Sequence, residues 1–447
     1  MVVGCSAIAK IENKPISQLP KAIDRYDARN HNRLNPIGDT LLVLAFSGGG
    51  TRAAALSYGV LEELRDTHFV KNGQTIRLLD EVDRISSVSG GSFTSAYYGL
   101  FGEQIFEDFK EVFLYKDIQG DLTNLIFNVF GLVNLAISPI SRTEYVINYY
   151  DKHIFRGKTF ADFQKSGGPF ILLNASDINS QSQFIFIQGQ FDFLCSDLTQ
   201  FKVARAVAAS SAVPILFPPV LIKKYDDCNY QKPFWLHDAE IRAKQNGDGR
   251  LKDAVSALNF YLDKNNPPYV TLLDGGITDN LGLRTLLNHV NLAGGIEKLY
   301  DISAQEQKLP RHMVVIVVNA STTTVTKIGK RKIMPPIRDI LSAVTDMQLH
   351  LYNTESNALV KENLLQWARD LSTQQHTIMP YFIELDVTYI EDPKERLFFN
   401  SIPTSFSLKK GQADKLIDMA RKLLRNNPDY QKLLNELKAK DASSQTK

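Results

Sequence analysis

Cysteine is scarce. The 447 residues contain three, Cys5, Cys195 and Cys228, and none stands in a CxxC or Cys/His spacing of the kind that holds zinc, so no metal site is expected. Cys195 and Cys228 leave two readings open: a disulfide in an oxidising compartment, or two buried thiols. No apolar run of transmembrane length is free of polar interruptions, and no spanning helix is expected. A charge of one sign is missing too. Fifty-one Lys and Arg face 49 Asp and Glu, a net charge of +2. There is no long basic block, so nucleic-acid binding finds no support. An internal repeat is also absent. What is abundant is core-forming material: 44% hydrophobic and 10% aromatic residues. That excludes a disordered or fibrous chain and suits one large α/β domain with elaborations, or two domains.

The chain is organised around Ser86-Ser87-Val88-Ser89-Gly90-Gly91-Ser92. Leu78 to Ile85 reads as the approach to a buried strand, and Phe93 to Gly99 as the first turns of a helix. A serine at a strand-to-helix corner, followed by glycines that tolerate strained dihedrals, is how a hydroxyl is presented as a nucleophile. Ser87 stands where the first glycine of G-x-S-x-G would be, so the pattern is incomplete.

A second corner lies upstream. Leu41 to Phe46 is a continuous apolar run, as a buried parallel strand requires. It ends in Ser47-Gly48-Gly49-Gly50-Thr51-Arg52. From Ala53 to Arg65, Leu56, Val60, Leu61 and Leu64 recur at helical spacing. Strand, glycine loop and helix make an anion-binding geometry. A phosphate loop would need a Walker lysine or a G-x-G-x-x-G with a distant acid, and neither fits. An oxyanion hole needs only adjacent N–H groups aimed at one oxygen, and that reading is preferred.

Further along, Leu122 to Ile140 is apolar with three asparagines, which reads as a core helix or as an interfacial lid. Phe170 to Asp177 and Phe184 to Ile187 read as neighbouring strands, and Phe201 to Ser211 as a helix of small residues. Tyr225 to Asn266 is polar and reads as a surface insertion. Tyr269 to Leu273 is a strand running into Asp274-Gly275-Gly276, which places an acid at the carboxyl edge of the sheet, where α/β folds bind ligands. Met313 to Asn319 is a buried strand, Pro335 to about Leu371 a helix, Tyr381 to Val387 a strand and Gln412 to Leu424 a helix. The polar end from Lys438 reads as frayed.

Together these stretches resemble the patatin-like phospholipase family. The resemblance is carried by Gly48-Gly49-Gly50-Thr51-Arg52, Ser87-Val88-Ser89-Gly90-Gly91 and Asp274-Gly275-Gly276, in the family's order and each at the end of an apolar strand. Ala209 to Pro214 adds to it, and the likeness spans about Leu41 to Leu283. It implies an α/β fold, a three-layer α/β/α sandwich with a mostly parallel central sheet. It implies a catalytic core at 39–290 and a continuation of the same domain at 291–437; residues 1–38 as a tether, the insertion at about 225–266 and the tail at 438–447 are read from their polar composition. It implies Ser89 as nucleophile, Asp274 as its base, the loop Gly48 to Arg52 as oxyanion hole, and no cofactor. The implied substrate is a lipid or phospholipid ester met at a membrane surface. The chain departs from the family pattern at Ser87 for glycine, Ser47 for an acid and Ala53 for glycine. Arg52 is left with three roles: gripping a lipid phosphate, holding the loop, or a plain surface ion pair.

A Ser–Asp dyad needs no histidine. A Ser-His-Asp enzyme would want one in a small-residue loop after the acid. His289 falls in a helical stretch and His312 opens a strand, so both read as structural, while His237 falls in the insertion. Two other classes compete with an esterase: a catalytically silent envelope lipoprotein that binds lipid or a partner, and a nucleotide-binding protein. At the N-terminus, Val2-Val3-Gly4-Cys5-Ser6 reads like the end of a bacterial lipoprotein signal, whose cysteine is lipidated. A full signal needs a charged start and an apolar stretch, and only four residues precede Cys5. The lipoprotein reading, with an envelope location, is preferred because Lys10 to Pro36 is polar and suits a tether. The alternative is a cytoplasmic protein with a disordered leader.

Overall fold

The computed structural model describes residues 9–71, 73–121, 142–214, 217–226, 228–303, 309–322, 334 and 337–444. Cys5 and the apolar stretch Leu122 to Ile140 lie outside them.

Eight strands form the central sheet: β1 (Thr40–Phe46), β2 (Val82–Val88), β3 (Phe170–Asp177), β4 (Ser182–Ile185), β5 (Val220–Lys223), β6 (Tyr269–Asp274), β7 (His312–Asn319) and β8 (Met379–Asp386). Their order is β8-β7-β1-β2-β3-β6-β5, with β4 paired to β3. The run from β8 to β3 is parallel. β6 joins β3 antiparallel, as do β5 to β6 and β4 to β3.

The helices that matter here are α1 (Gly50–Asp66), α2 (Gly90–Phe101), α3 (Arg142–Tyr150), α4 (Val203–Ser210), α5 (Phe234–Asn246), α6 (Gly249–Leu262), α7 (Gly276–Asp279), α8 (Arg284–Ala293), α9 (Ile337–Leu371) and α10 (Lys410–Asn426). They cover both faces of the sheet. Alternate residues of β1 enter two different cores: Leu42, Leu44 and Phe46 join the α1, α2 and α10 side, while Val43 and Ala45 meet Leu287, Val290 and Trp367 from α8 and α9. That double burial is why β1 and β7 read as unbroken apolar runs rather than alternating ones.

α1 is buried along nearly its whole length, from Gly50 to Leu64. It is sandwiched between the sheet and α10, and a β-carbon on Gly59 would lie 2.5 Å from the Ile417 carbonyl oxygen. The C-terminal part is therefore built into the same core as the glycine loop.

Three expectations change. The stretch ahead of β1 is not a free tether. The Asn13 amide donates to Ser196 Oγ and to the Lys223 carbonyl, Lys14–Pro15 pairs with Ser196–Asp197, and Tyr26 is buried with its hydroxyl on the Ile171 carbonyl. The polar insertion is a helical pair, α5 and α6, that buries Leu236, Ala239, Leu251 and Val255, while the Tyr261 hydroxyl donates to Asp177. The last helix, Pro428–Ser444, continues past Lys438 rather than fraying there, anchored by buried Tyr430, Leu433 and Leu437. Cys195 and Cys228 are joined in a disulfide.

The N-terminal stretch also completes an ion cluster. Arg205 on α4, 1% exposed, donates to both oxygens of Glu144 on α3, at 2.8 and 2.5 Å, and to Glu12 at 2.8 Å. Burial alone would raise the Glu12 pKa, but hydrogen bonds from Arg205 and Lys10 outweigh it and hold the carboxyl at about 2. Removing one partner of a buried pair leaves a charge stranded, at a cost of about 3–5 kcal/mol. Glu144→Ala should lose stability of that order in urea unfolding, and a loss below about 1 kcal/mol would show that Arg205 does not depend on Glu144.

Candidate active site

The site forms where three strand ends meet. β1 ends in the glycine loop, β2 in the serine corner and β6 in the Asp-Gly-Gly turn. β1 and β2 are parallel neighbours, with Phe46 opposite Ser87, so their following loops emerge at one edge. β6 is antiparallel to β3, with Asp274 opposite Ala175. Its acid reaches the same edge from the other direction.

Ser89 caps α2 with φ 49° and ψ −118°. A positive φ on a residue with a β-carbon is strained by roughly 1–3 kcal/mol and persists only when its surroundings fix it. Here the Ser89 amide donates to Ser210 Oγ at 2.9 Å, Gly91 N donates to the Ser47 carbonyl at 3.2 Å, and Ser210 Oγ donates to the Asn174 carbonyl at 2.6 Å. The outcome is a buried hydroxyl aimed at a carboxylate: Ser89 Oγ donates to Asp274 Oδ2 at 2.7 Å.

Asp274 is held from several sides. Its Oδ1 accepts from Gly276 N at 2.8 Å, its amide donates to the Ala212 carbonyl, and its carbonyl accepts from Ser176 Oγ. Burial pushes the Asp274 pKa up, the Gly276 amide and the Ser89 hydroxyl pull it partly back, and it stands at about 6.

The glycine loop lies against the serine corner. A β-carbon on Gly90 would fall 2.0 Å from the Gly50 carbonyl oxygen, and one on Gly48 would fall 3.3 Å from Ser89 Cβ and 2.5 Å from Asn280 Oδ1. Gly49 and Gly50 have φ of 138° and 62°. The loop's donors divide into two sets. Gly48 N donates to the Asn280 carbonyl and Thr51 N to the Ser405 carbonyl, so neither amide is available to a ligand. Among the described residues no protein acceptor meets the amides of Gly49, Gly50 or Gly90. All three lie at the N-terminal ends of α1 and α2, where an anion is favoured.

Arg52 is neither a surface ion pair nor open to a lipid phosphate. It is buried and donates to the carbonyls of Ala320 and Ile402 and to Thr404 Oγ1. The side chain ties the start of α1 to two segments far along the chain. Val88 and Gly275 pack together behind the dyad, a β-carbon on Gly275 coming within 3.0 Å of Val88 Cγ1.

No histidine joins the dyad. His237 is mostly exposed beside Glu240. His312 is buried beside Thr40 and Glu436. His289 lies on α8, where burial and then the Arg84 charge lower its pKa to about 4. A cavity of about 850 Å³ opens beyond the ends of β7 and β8, lined by Asn319, Asn353, Glu384 and Asp386 among others. It includes neither Ser89 nor Asp274, so position at the strand ends, not cavity size, marks the site.

Sequence reading missed Ser210 and Asn280. Ser210 orients the Ser89 amide, and Asn280 accepts from Gly48 N. Ser210 sits inside Ala209 to Pro214 and Asn280 four residues past Asp274-Gly275-Gly276, so proximity to a motif was their only signal.

A mostly parallel sheet carrying a serine corner, a glycine loop and an Asp-Gly-Gly turn at one edge defines a class. The patatin-like phospholipase family model matches residues 44–287, more than half of the chain, and the chain belongs to that family. Among solved structures it is similar to human GIVD cytosolic phospholipase A2, at 11% identity and a TM-score of 0.46, over 97% of this chain and 66% of that one. The same human enzyme in complex with methyl γ-linolenyl fluorophosphonate gives a TM-score of 0.42 at 11% identity, over 93% and 62%. VipD from Legionella pneumophila gives 0.28 at 11%, over 87% and 67%. The chain thus spans less than two thirds of the human enzyme's length. A search of curated proteins finds no match.

Ser87 occupies the position of the absent glycine. Its buried hydroxyl lies 2.6 Å from Ser95 Oγ and accepts from Ser92 Oγ at 3.3 Å. Neither contact reaches the dyad directly. Ser87→Gly should therefore lose roughly 1–2 kcal/mol of stability, since Ser92 and Ser95 lose a partner, while esterase activity is retained. A dead Ser87→Gly protein of unchanged melting temperature would show that this hydroxyl has a chemical role.

Proposed function

We propose that this protein is a serine acyl hydrolase that cleaves carboxylic esters of lipids, of phospholipase A or lysophospholipase type. The observation that carries the reading is the 2.7 Å hydrogen bond from a strained, buried Ser89 to Asp274. Family membership supports the lipid ester as the substrate class.

The chemistry follows from the contacts. As Ser89 Oγ attacks the ester carbonyl carbon, its proton passes to Asp274 Oδ2. The carbonyl oxygen gains negative charge and is stabilised by the Gly49, Gly50 and Gly90 amides. When the tetrahedral intermediate collapses, the alcohol leaves with the proton from Asp274 and the acyl group stays on Ser89. Water then gives its proton to Asp274 and attacks the acyl carbon; as the second tetrahedral intermediate collapses, Asp274 returns that proton to the departing Ser89 Oγ, the fatty acid leaves and the dyad is restored. A carboxylate is a weak base for an alcohol. A pKa near 6 brings it closer to its task, and each aimed oxyanion donor contributes about 3–4 kcal/mol.

A fluorophosphonate probe should label the wild-type protein at Ser89 and fail on Ser89→Ala, read by mass spectrometry of the tryptic peptide. Asp274→Asn should lower kcat/KM on a short-chain nitrophenyl ester by about 100-fold or more. Labelling that survives in Ser89→Ala would overturn the assignment. A wild-type protein that neither labels nor turns over the ester would favour a silent lipid-binding lipoprotein.

The Asp274 environment also sets a pH dependence. Only the ionised carboxylate can take the serine proton, so activity is lost as pH falls through the folded-state pKa. The kcat/KM profile should rise with a midpoint near pH 6, and a flat profile from pH 7 down to 5 would exclude Asp274 as the base.

For location we propose the bacterial cell envelope, with Cys5 as the site of lipidation. The Cys195–Cys228 disulfide favours an oxidising compartment over the cytoplasm. Labelling of cells with a fatty-acid probe, lost in Cys5→Ala, tests it.

A further inference from the structure

The cavity of about 850 Å³ beyond the ends of β7 and β8 has a chemistry of its own. It lies at the carboxyl edge of parallel strands, where α/β sheets bind ligands, and its size is that of a small-molecule pocket. Its walls come from β8, the middle of α9, the end of α10 and the segment that follows β8. Six of the lining side chains are carboxylates, against two lysines and one histidine.

Two of those carboxylates share one face of β8. Glu384 and Asp386 alternate with the core residues Ile383 and Leu385, so they point the other way, and Phe382 on their face packs among residues of α9. Neither acid meets a cation. Glu384 accepts from the Asn357 amide and, at 2.8 Å, from the Tyr389 hydroxyl. Asp386 accepts from the Asn319 amide at 2.6 Å and from Thr388 N and Oγ1. All of these donors are neutral. Among the described residues no Lys, Arg or His stands within ion-pair distance of either carboxylate. Burial raises both pKa values, and the Asp386 charge raises that of Glu384 further; a bound cation would pull both down.

A second, independent sign comes from the amides on the same wall. Asn353 is 3% exposed and its Nδ2 donates to Ser321 Oγ at 2.7 Å, but its Oδ1 has no partner, and neither does Asn357 Oδ1. Both residues line the cavity. A buried oxygen left without a donor costs about 1–3 kcal/mol. The unmet groups are thus of one kind: two carboxylates short of a cation and two amide oxygens short of an N–H. A ligand that meets them is charged at more than one point and rich in donors. A metal ion would supply charge but fill little of the space. Phe382, Met419 and Leu423 add apolar wall, and Tyr389, 56% exposed, adds an aromatic face, surfaces that suit methylene and ammonium groups.

We infer that this cavity is a binding site for a linear aliphatic polyamine, with ammonium groups at Glu384 and Asp386 and further N–H groups for the amide oxygens of Asn353 and Asn357. Positions two apart on a strand are about 6–7 Å from one another, so amines joined by a short methylene spacer can meet both carboxylates. The site includes neither Ser89 nor Asp274, and the inference does not depend on the hydrolase reading.

Isothermal titration calorimetry of the full chain with spermidine at low salt should show saturable binding at one site per chain. Glu384→Gln/Asp386→Asn should weaken it at least tenfold, and Tyr389→Ala severalfold. Asp238→Asn/Glu240→Gln, which removes two charges outside the cavity, should leave it within twofold. n-Butylamine, with one ammonium group, should bind at least tenfold more weakly than putrescine, which has two. Thermal unfolding checks the fold of each variant. Absence of saturable spermidine binding by the wild-type protein would overturn the proposal, as would equal binding by both cavity variants. So would calcium binding that is tighter than spermidine binding and lost in Glu384→Gln/Asp386→Asn, which would make the cavity a metal site.

Discussion

The backbone contact between Gly50 and Gly90 is the constraint on which the site depends. Two strand-to-helix corners from neighbouring parallel strands are pressed so close that any side chain at Gly90 would occupy the Gly50 carbonyl. That closeness sets two helix N-termini side by side and, among the described residues, leaves amides of both without a protein acceptor. The glycines here supply proximity as much as flexibility. With bulkier residues the corners would part, and the strained Ser89 would lose the neighbours that hold it.

The strain is met with small polar side chains. Ser210 Oγ accepts from the Ser89 amide and donates to the Asn174 carbonyl, and Asn174 Nδ2 donates to Ser86 Oγ and the Ser87 carbonyl. Ser92 and Ser95 extend the chain to Ser87. Serine suits this role because it satisfies buried backbone groups in a volume little larger than alanine. It also shows why Ser87 can replace a glycine. The β-carbon fits, and the hydroxyl joins a network that already exists.

How much of this was legible in the sequence depended on how local each cause was. Strand β1, the glycine loop and the start of α1 were legible because apolar runs, glycines and helical spacing are local signals. Ser89 and Asp274 could be paired only through the family resemblance, since 185 residues separate them. The role of Arg52 was not legible. Its partners Ala320, Ile402 and Thr404 lie 268 to 352 residues away, and no pattern around Arg52 refers to them. The N-terminal stretch looked like a tether because its composition is polar, yet Asn13 is pinned to Ser196 and Lys223 and Glu12 to Arg205, long-range bonds that composition does not record. The antiparallel entry of β6 was likewise hidden, since an apolar strand looks the same in either direction.

The proposed reaction, which uses no histidine, puts a specific demand on Asp274. To serve as a base it must be dry enough to want a proton, yet bonded enough to stay ionised at neutral pH. Burial supplies the first condition. The Gly276 amide supplies the second by occupying Oδ1, which among the described residues leaves Oδ2 to the Ser89 hydroxyl. That division of the two oxygens is made by the Gly275-Gly276 turn, which places Gly276 N in line with the carboxylate. A β-carbon on Gly275 would strike the Asn174 carbonyl at 2.5 Å, and Ser210 Oγ donates to that same carbonyl. The turn that positions the Asp274 carboxylate and the serine that holds the Ser89 amide therefore converge on one oxygen of β3. Displacing that strand would move Asp274 and Ser89 together, which ties the chemistry proposed for the pair to the register of the sheet.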